Sequence, residues 1–149
     1  MSVMTTNRQA SHKYYLYDKY EAGIALRGNE VKSIREGRVN LKDSFVRIIR
    51  GEAFLFNCHI SPYSHIHDIR SSDPVRMRKL LLKHVEIDRL LGQISRKGHT
   101  VIPLSIYFKK GLAKVEIAVA KGKQEFDKRE TIRRRIDLRE AQRAIKRRK

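Results

Sequence analysis

A mainly β (α+β) fold is predicted: a small closed β-barrel with two or three flanking helices and a basic C-terminal tail. Three observations carry this. About six or seven short runs of alternating or β-branched apolar residues are separated by turn residues. Only two stretches of the body read as helix. The last 29 residues hold 13 Lys/Arg against 5 Asp/Glu, whereas the first 120 hold 21 against 11.

The elements follow in order. His12 to Tyr20 is rich in tyrosine, which favours strand. Gly23 is expected to break that run, with Ile24–Leu26 as a short strand of its own. Asn29 is the expected N-cap of a short helix carrying Val31 and Ile34, stopped by Gly37. Phe45–Ile49 and Ala53–Phe56 flank Arg50–Gly51–Glu52 and read as a hairpin. His59 to Pro74 reads as loop from its Ser, Pro, His and Asp content. Leu80–Leu82 fits a buried strand or the start of a helix. From His84 onward Ile87, Leu90, Leu91 and Ile94 fall on one helical face, ended by Gly98. Leu104, Ile106 and Phe108 alternate with Ser105 and Tyr107. After a turn at Lys109–Lys110–Gly111, Val115, Ile117 and Val119 alternate in the same way. So many short strands cannot all bury one face in an open sheet. Closure into an OB-like barrel, a plan suited to nucleic acid, is therefore expected.

The chain has 149 residues and a formal charge of +18. That length suits one domain with a tail. Residues 1–12 are read as an N-terminal arm, 13–120 as the barrel, and 121–149 as the tail. A charge of this size needs a polyanionic partner, and a nucleic-acid backbone is the commonest. The tail's apolar residues form no continuous stripe, although Asp127 and Glu130 have capping-box spacing. It is expected to be disordered when free and helical on a polyanion, a plain solubility tail being the alternative. Its weak apolar face argues against a membrane. No apolar run approaches a span and no secretory signal follows Met1, so a soluble cytoplasmic protein is expected.

Catalytic signals are sparse. His65, His67 and Asp68, with His59 nearby, form no complete metal set, and a single cysteine, Cys58, argues against a zinc site. Cys58 reads as a buried apolar filler. No HExxH, phosphate loop or GxSxG occurs. His12 with Lys13 could suggest a ribonuclease pair, but such a pair must converge in space. No enzyme, cofactor or metal is expected. Tyr14, Tyr15, Tyr17 and Tyr20 could stack bases or could fill the barrel. Lys32 and Arg35 share a helical face, and with Arg38 and Lys42 they suit a phosphate track or an ordinary solvated face.

Several blocks resemble one family. Tyr20–Glu21–Ala22–Gly23–Ile24–Ala25–Leu26 leads to Gly28–Asn29–Glu30–Val31–Lys32–Ser33–Ile34–Arg35. Asn40–Leu41–Lys42–Asp43–Ser44–Phe45–Val46, His59–Ile60–Ser61–Pro62–Tyr63 and Arg78–Lys79–Leu80–Leu81–Leu82 follow. Ala120–Lys121–Gly122–Lys123 and Asp127–Lys128–Arg129–Glu130 complete the set. In this order they resemble small protein B, the family that binds transfer-messenger RNA (tmRNA) in bacterial trans-translation.

The resemblance implies an OB-like barrel that binds the tRNA-like domain of tmRNA and replaces its missing anticodon stem on stalled ribosomes. It implies elongation factor Tu as an indirect partner through the RNA, and a monomer in the cytoplasm. It places the RNA-binding face at Glu21, Leu81 and Lys114, supported by Lys32, Arg35 and Lys42. Leu81 is at the same time expected to be plain core. A carboxylate such as Glu21 can accept from base amino groups or a ribose 2′-OH, or orient a neighbouring cation. The resemblance assigns Lys121, Gly122, Lys123, Phe126, Asp127, Lys128, Arg129, Arg133 and Arg134 to the decoding centre and the empty messenger channel, lined by small-subunit ribosomal RNA. Phe126 stands where the family often has Tyr or His, so it can stack but not hydrogen-bond. Gln124 replaces a lysine, and Asn29 a common Thr. A structural ribosomal-RNA-binding protein is the alternative that composition leaves open.

Overall fold

The structure is a computed structural model and describes residues 2–62 and 73–123. The strands are β1 (Ser2–Thr6), β2 (Tyr14–Ile24), β3 (Val39–Asn40), β4 (Phe45–Ile49), β5 (Glu52–Phe56), β6 (His59–Ile60), β7 (Arg78–Leu81), β8 (His99–Lys109) and β9 (Leu112–Gly122). The helices are α1 (Ala10–Lys13), α2 (Gly28–Arg35) and α3 (His84–Ile94). The fold is mainly β with a few helices, as the strand count implied.

Seven strands form one antiparallel sheet, in the order β1-β8-β4-β5-β7-β2-β9, with a further pairing of β8 to β9. Both expected hairpins are present. Arg50 and Gly51 have φ of 52° and 78°, and Lys110 and Gly111 have 52° and 78°. Two consecutive left-handed residues are the requirement of a type I′ turn, whose twist matches the strands it joins. The inner faces of these strands bury Ala53, Leu55, Leu80, Val115, Ile117 and Val119 in one core, closed by Ile34 of α2 and Leu90 of α3.

Several expectations are corrected. Gly23 does not break β2. It sits opposite Leu81 on one side and Lys114 on the other, and a Cβ there would lie 3.2 Å from the Leu81 Cβ. The missing side chain makes room for a neighbour instead of ending the strand. The helix α2 begins one residue before Asn29. Its cap is Arg27, whose backbone N–H donates to Glu30 Oε1 at 2.8 Å. Gly37 ends it as expected, at φ 74°. The Gly37 N–H donates to Ile34 O at 2.9 Å and the Arg38 N–H to Ser33 O at 2.9 Å, a Schellman pair.

His59–Ile60 forms a two-residue strand against Val39–Asn40. Leu80 and Leu81 belong to a strand, and Leu81 is 55% exposed, so it is not core. Leu91 is exposed as well, and α3 ends at Ile94, four residues short of Gly98. The N-terminal segment contributes an edge strand, β1, paired to β8. The sheet also runs two residues past the composition shift, because Lys121 and Gly122 still pair with Tyr15 and Tyr14. His65, His67, Asp68, Gln124, Phe126, Asp127, Lys128, Arg129, Glu130, Arg133 and Arg134 lie outside the described residues.

A buried ion cluster ties α2 to the chain before β7. Arg78 is fully buried, and its guanidinium donates to Glu30 Oε2 at 2.8 Å and to Cys58 O at 2.6 Å. Arg76 donates to the same carboxylate. Burial alone would raise the Glu30 pKa. The hydrogen bonds from Arg76, the Arg27 backbone and Arg78 outweigh it and hold the carboxyl below its ordinary value. Beside this cluster the Cys58 thiol is buried, which pushes its pKa up to about 11. It is an inert filler, as expected.

Candidate nucleic-acid interface

In an antiparallel sheet, residues directly opposite each other point to the same face. Leu81 of β7 faces Gly23 of β2, Gly23 faces Lys114 of β9, and Lys114 faces Tyr107 of β8. One row therefore crosses four strands. Glu21, two residues from Gly23, lies on the same face opposite Glu116. The core side of β9 is taken by Val115, Ile117 and Val119, so Lys114 and Glu116 point outward. Three residues separated by up to 93 positions in the chain, Glu21, Leu81 and Lys114, are thus brought onto one outer surface.

The polar side of the row is ordered. The Tyr107 hydroxyl donates to Glu21 Oε2, and the Lys109 ammonium lies 3.5 Å from that oxygen. The Tyr107 hydrogen bond is the largest influence on the Glu21 carboxyl, and together with Lys109 and the charge of Lys114 it outweighs the opposing effect of desolvation and holds the group below its ordinary value. Its own burial, and then the same contact with Glu21, push the Tyr107 phenol up. At neutral pH the surface therefore presents a fixed carboxylate, two ammonium groups and an exposed leucyl side chain. Such a set can contact a ribose or base edge, a phosphate and an apolar sugar or base face together. Tyr107 and Lys109 escaped sequence reasoning. The alternation along β8 showed which face Tyr107 takes, but the register against β2 that makes it Glu21's partner is a long-range fact.

The supporting cations stand apart from the row. Lys32 and Arg35 are exposed on α2, and the Arg35 guanidinium lies 5.2 Å from the centre of the Phe108 ring. Lys42 is exposed just after β3, its backbone N–H donating to Asn40 Oδ1 at 2.8 Å. Sheet register does not bring these three to Glu21, Leu81 and Lys114. The tyrosine cluster divides. Tyr20 is partly buried and donates to Gln93 Oε1 at 2.9 Å, and Tyr14 packs against Ala10, Ile102 and Ala120. Tyr15 and Tyr17 are 49% and 47% exposed.

Of the segment assigned to the decoding centre, Lys121, Gly122 and Lys123 are described. Lys121 and Gly122 end β9, and Lys123, the next residue, donates to Ser11 O at 3.1 Å with its ammonium 5.0 Å from the Tyr15 ring centre. Among the described residues no helix is long and apolar enough to cross a membrane.

Residues 4–147 match the family described as SmpB protein. A protein of Caldanaerobacter subterraneus named SsrA-binding protein is 53% identical over 146 residues, covering 98% of this chain and 92% of its own. An SsrA-binding protein of Geobacillus kaustophilus is 51% identical over 146 residues, covering 98% and 94%. One of Caldicellulosiruptor saccharolyticus is 57% identical over 135 residues, covering 91% and 85%. A solved structure described as "tmRNA-SmpB: a journey to the center of the bacterial ribosome" aligns with a TM-score of 0.69 at 48% identity, covering 83% of this chain and 85% of that one.

Proposed function

The chain belongs to the SmpB family, and on that footing we propose that it binds tmRNA and acts with it in trans-translation on stalled ribosomes. The observation that carries the reading is the outer-face row, where a carboxylate, an ammonium and an exposed leucine meet although they are distant in sequence. Lys114 meets a phosphate, Leu81 packs on a sugar or base, and Glu21 accepts from a 2′-OH or a base amino group. Tyr107 and Lys109 position Glu21. Lys32, Arg35 and Lys42 extend the phosphate contacts beyond the row.

The ring of pairings from β8 through β4, β5, β7, β2 and β9 back to β8 supports a small closed barrel of OB type. The barrel is the part that holds the tRNA-like domain. Residues 121–149 form the basic segment that probes the decoding centre and empty messenger channel, Lys121, Gly122 and Lys123 being its base. Elongation factor Tu meets the protein only through the shared RNA. The role is that of a monomeric cytoplasmic adaptor with no catalytic step.

The two parts separate experimentally. Deleting residues 124–149 should leave binding of the tRNA-like domain in place and abolish rescue of stalled ribosomes. Lys114→Ala should weaken binding of the tRNA-like domain while the protein stays folded. Loss of RNA binding on the deletion, with the body folded, would overturn the division of labour.

A further inference from the structure

A second surface lies on the opposite face of the β2–β9–β8 ribbon. β2 carries a bulge between Leu16 and Lys19, where Tyr17 and Asp18 have no separate partners on β9. A bulge re-aims the side chains beside it. Here Tyr15 pairs with Lys121, and Lys121 pairs with His99. In β9, Lys121 has the parity of the inward Val119 and not of Lys114, so this row faces away from the first. Tyr15 and Gly23 are eight residues apart, roughly 25 Å along the strand.

Beside this row α3 and the start of β8 enclose a cleft of about 400 Å³, lined by Tyr17, Asp18, Gln93, Arg96, His99 and Val119. Its walls are fixed. Gln93 Nε2 donates to Asp18 Oδ2 at 2.6 Å, and Gln93 Oε1 accepts from the Tyr20 hydroxyl at 2.9 Å. The Tyr17 and His99 rings are stacked, with centres 5.4 Å apart and planes 26° from parallel. His99 Nδ1 lies 3.2 Å from Lys97 O, which leaves Nε2 for a ligand. Arg96 is exposed two residues past the end of α3, with no side-chain partner among the described residues.

We propose that this cleft is a second RNA site, taking one unstacked nucleotide of a single strand with its base on the Tyr17–His99 stack and its phosphate on Arg96. The proposal deepens the RNA-binding reading and rests on it. A ring pair extends a base stack without regard to sequence, and a neighbouring guanidinium supplies the phosphate contact. Because the two surfaces face opposite ways, one RNA on the Lys114 face leaves the cleft open to another. The protein then joins two RNA strands through its folded body, independently of the tail.

The test uses the full chain and a fluorescent hexauridylate carrying one 4-thiouridine. Hexauridylate should bind the protein already saturated with the tRNA-like domain of tmRNA, and illumination should crosslink it to the peptides holding Tyr17 and His99. Tyr17→Ala should weaken that binding about tenfold, and Tyr17→Phe should restore it, since the ring and not the hydroxyl stacks. Arg96→Ala should weaken it and flatten its salt dependence. All three variants should bind the tRNA-like domain like the parent chain. Full displacement of hexauridylate by that domain, crosslinks confined to residues 124–149, or unchanged binding by Tyr17→Ala would each overturn the second site. Those results would leave the first reading standing. Failure of that reading shows differently, as tRNA-like domain binding indifferent to Lys114→Ala.

Discussion

Replacing Leu81 by alanine separates a contact made to RNA from one made to the core. Leu81 is 55% exposed. Full burial of a leucine side chain is worth about 1.5–3 kcal/mol. With slightly over half of its surface still in water, a ligand can gain roughly 0.8–1.6 kcal/mol by covering it, a change of about four- to fifteenfold in Kd. Folding should lose little. Alanine keeps the Cβ that lies over Gly23, and a truncation at the surface usually costs about 0.5 kcal/mol or less. Filter binding to the tRNA-like domain and a thermal melt of the same preparation read both quantities. The expected result is a several-fold weaker Kd with a Tm within about 5 °C of the parent. A drop in stability of about 2–5 kcal/mol, the cost of emptying a core site, with Kd unchanged, would refute the placement of Leu81 on the RNA face.

Other outcomes follow from the same geometry. Lys114→Ala should reduce the slope of log K against log salt by about 0.7–0.9, one phosphate contact, measured by titration from low to moderate salt. Glu30→Ala leaves the buried Arg78 charge unpaired and should destabilise the fold by about 3–5 kcal/mol in a denaturant titration. The pH dependence has a definite sign. Glu30 is held below its ordinary value of 4.5, so its contribution is present above that pH and is lost as pH falls through the lower folded value. Acid unfolding of Glu30→Gln should therefore show a shallower loss of stability below about pH 4.5 than the parent. In sucrose gradients the protein should leave ribosomal subunits at high salt, where a structural ribosomal protein would stay bound.

The local grammar of the chain was legible wherever the signal was itself local. Arg50–Gly51 and Lys110–Gly111 announce turns because the turn type demands left-handed residues there. The spacing of Ile87, Leu90 and Ile94 announces α3, and Gly37 the end of α2. What depends on partners distant in sequence was not legible from periodicity. Gly23 looks like a breaker until Leu81 is seen to occupy the space beside it. Leu81 looks like core in a Leu-Leu-Leu run, because a run does not say which of its members faces in. Glu30, Arg76 and Arg78 are ordinary charges in sequence, and only the fold brings them together and buries Glu30 and Arg78. The candidate RNA face was reached through resemblance for Glu21, Leu81 and Lys114. Tyr107 and Lys109 joined it only through strand register, and the Tyr17–His99 stack through a bulge that no residue type signals.

The folded body should distinguish tmRNA from other structured RNA of similar charge. The most direct measurement is the affinity of the full chain for tmRNA and for an ordinary transfer RNA, by filter binding at matched salt. Tighter binding of tmRNA, with the difference reduced by Lys114→Ala, is the predicted result. Equal affinity for the two RNAs would contradict the account and leave only a basic protein that binds any polyanion.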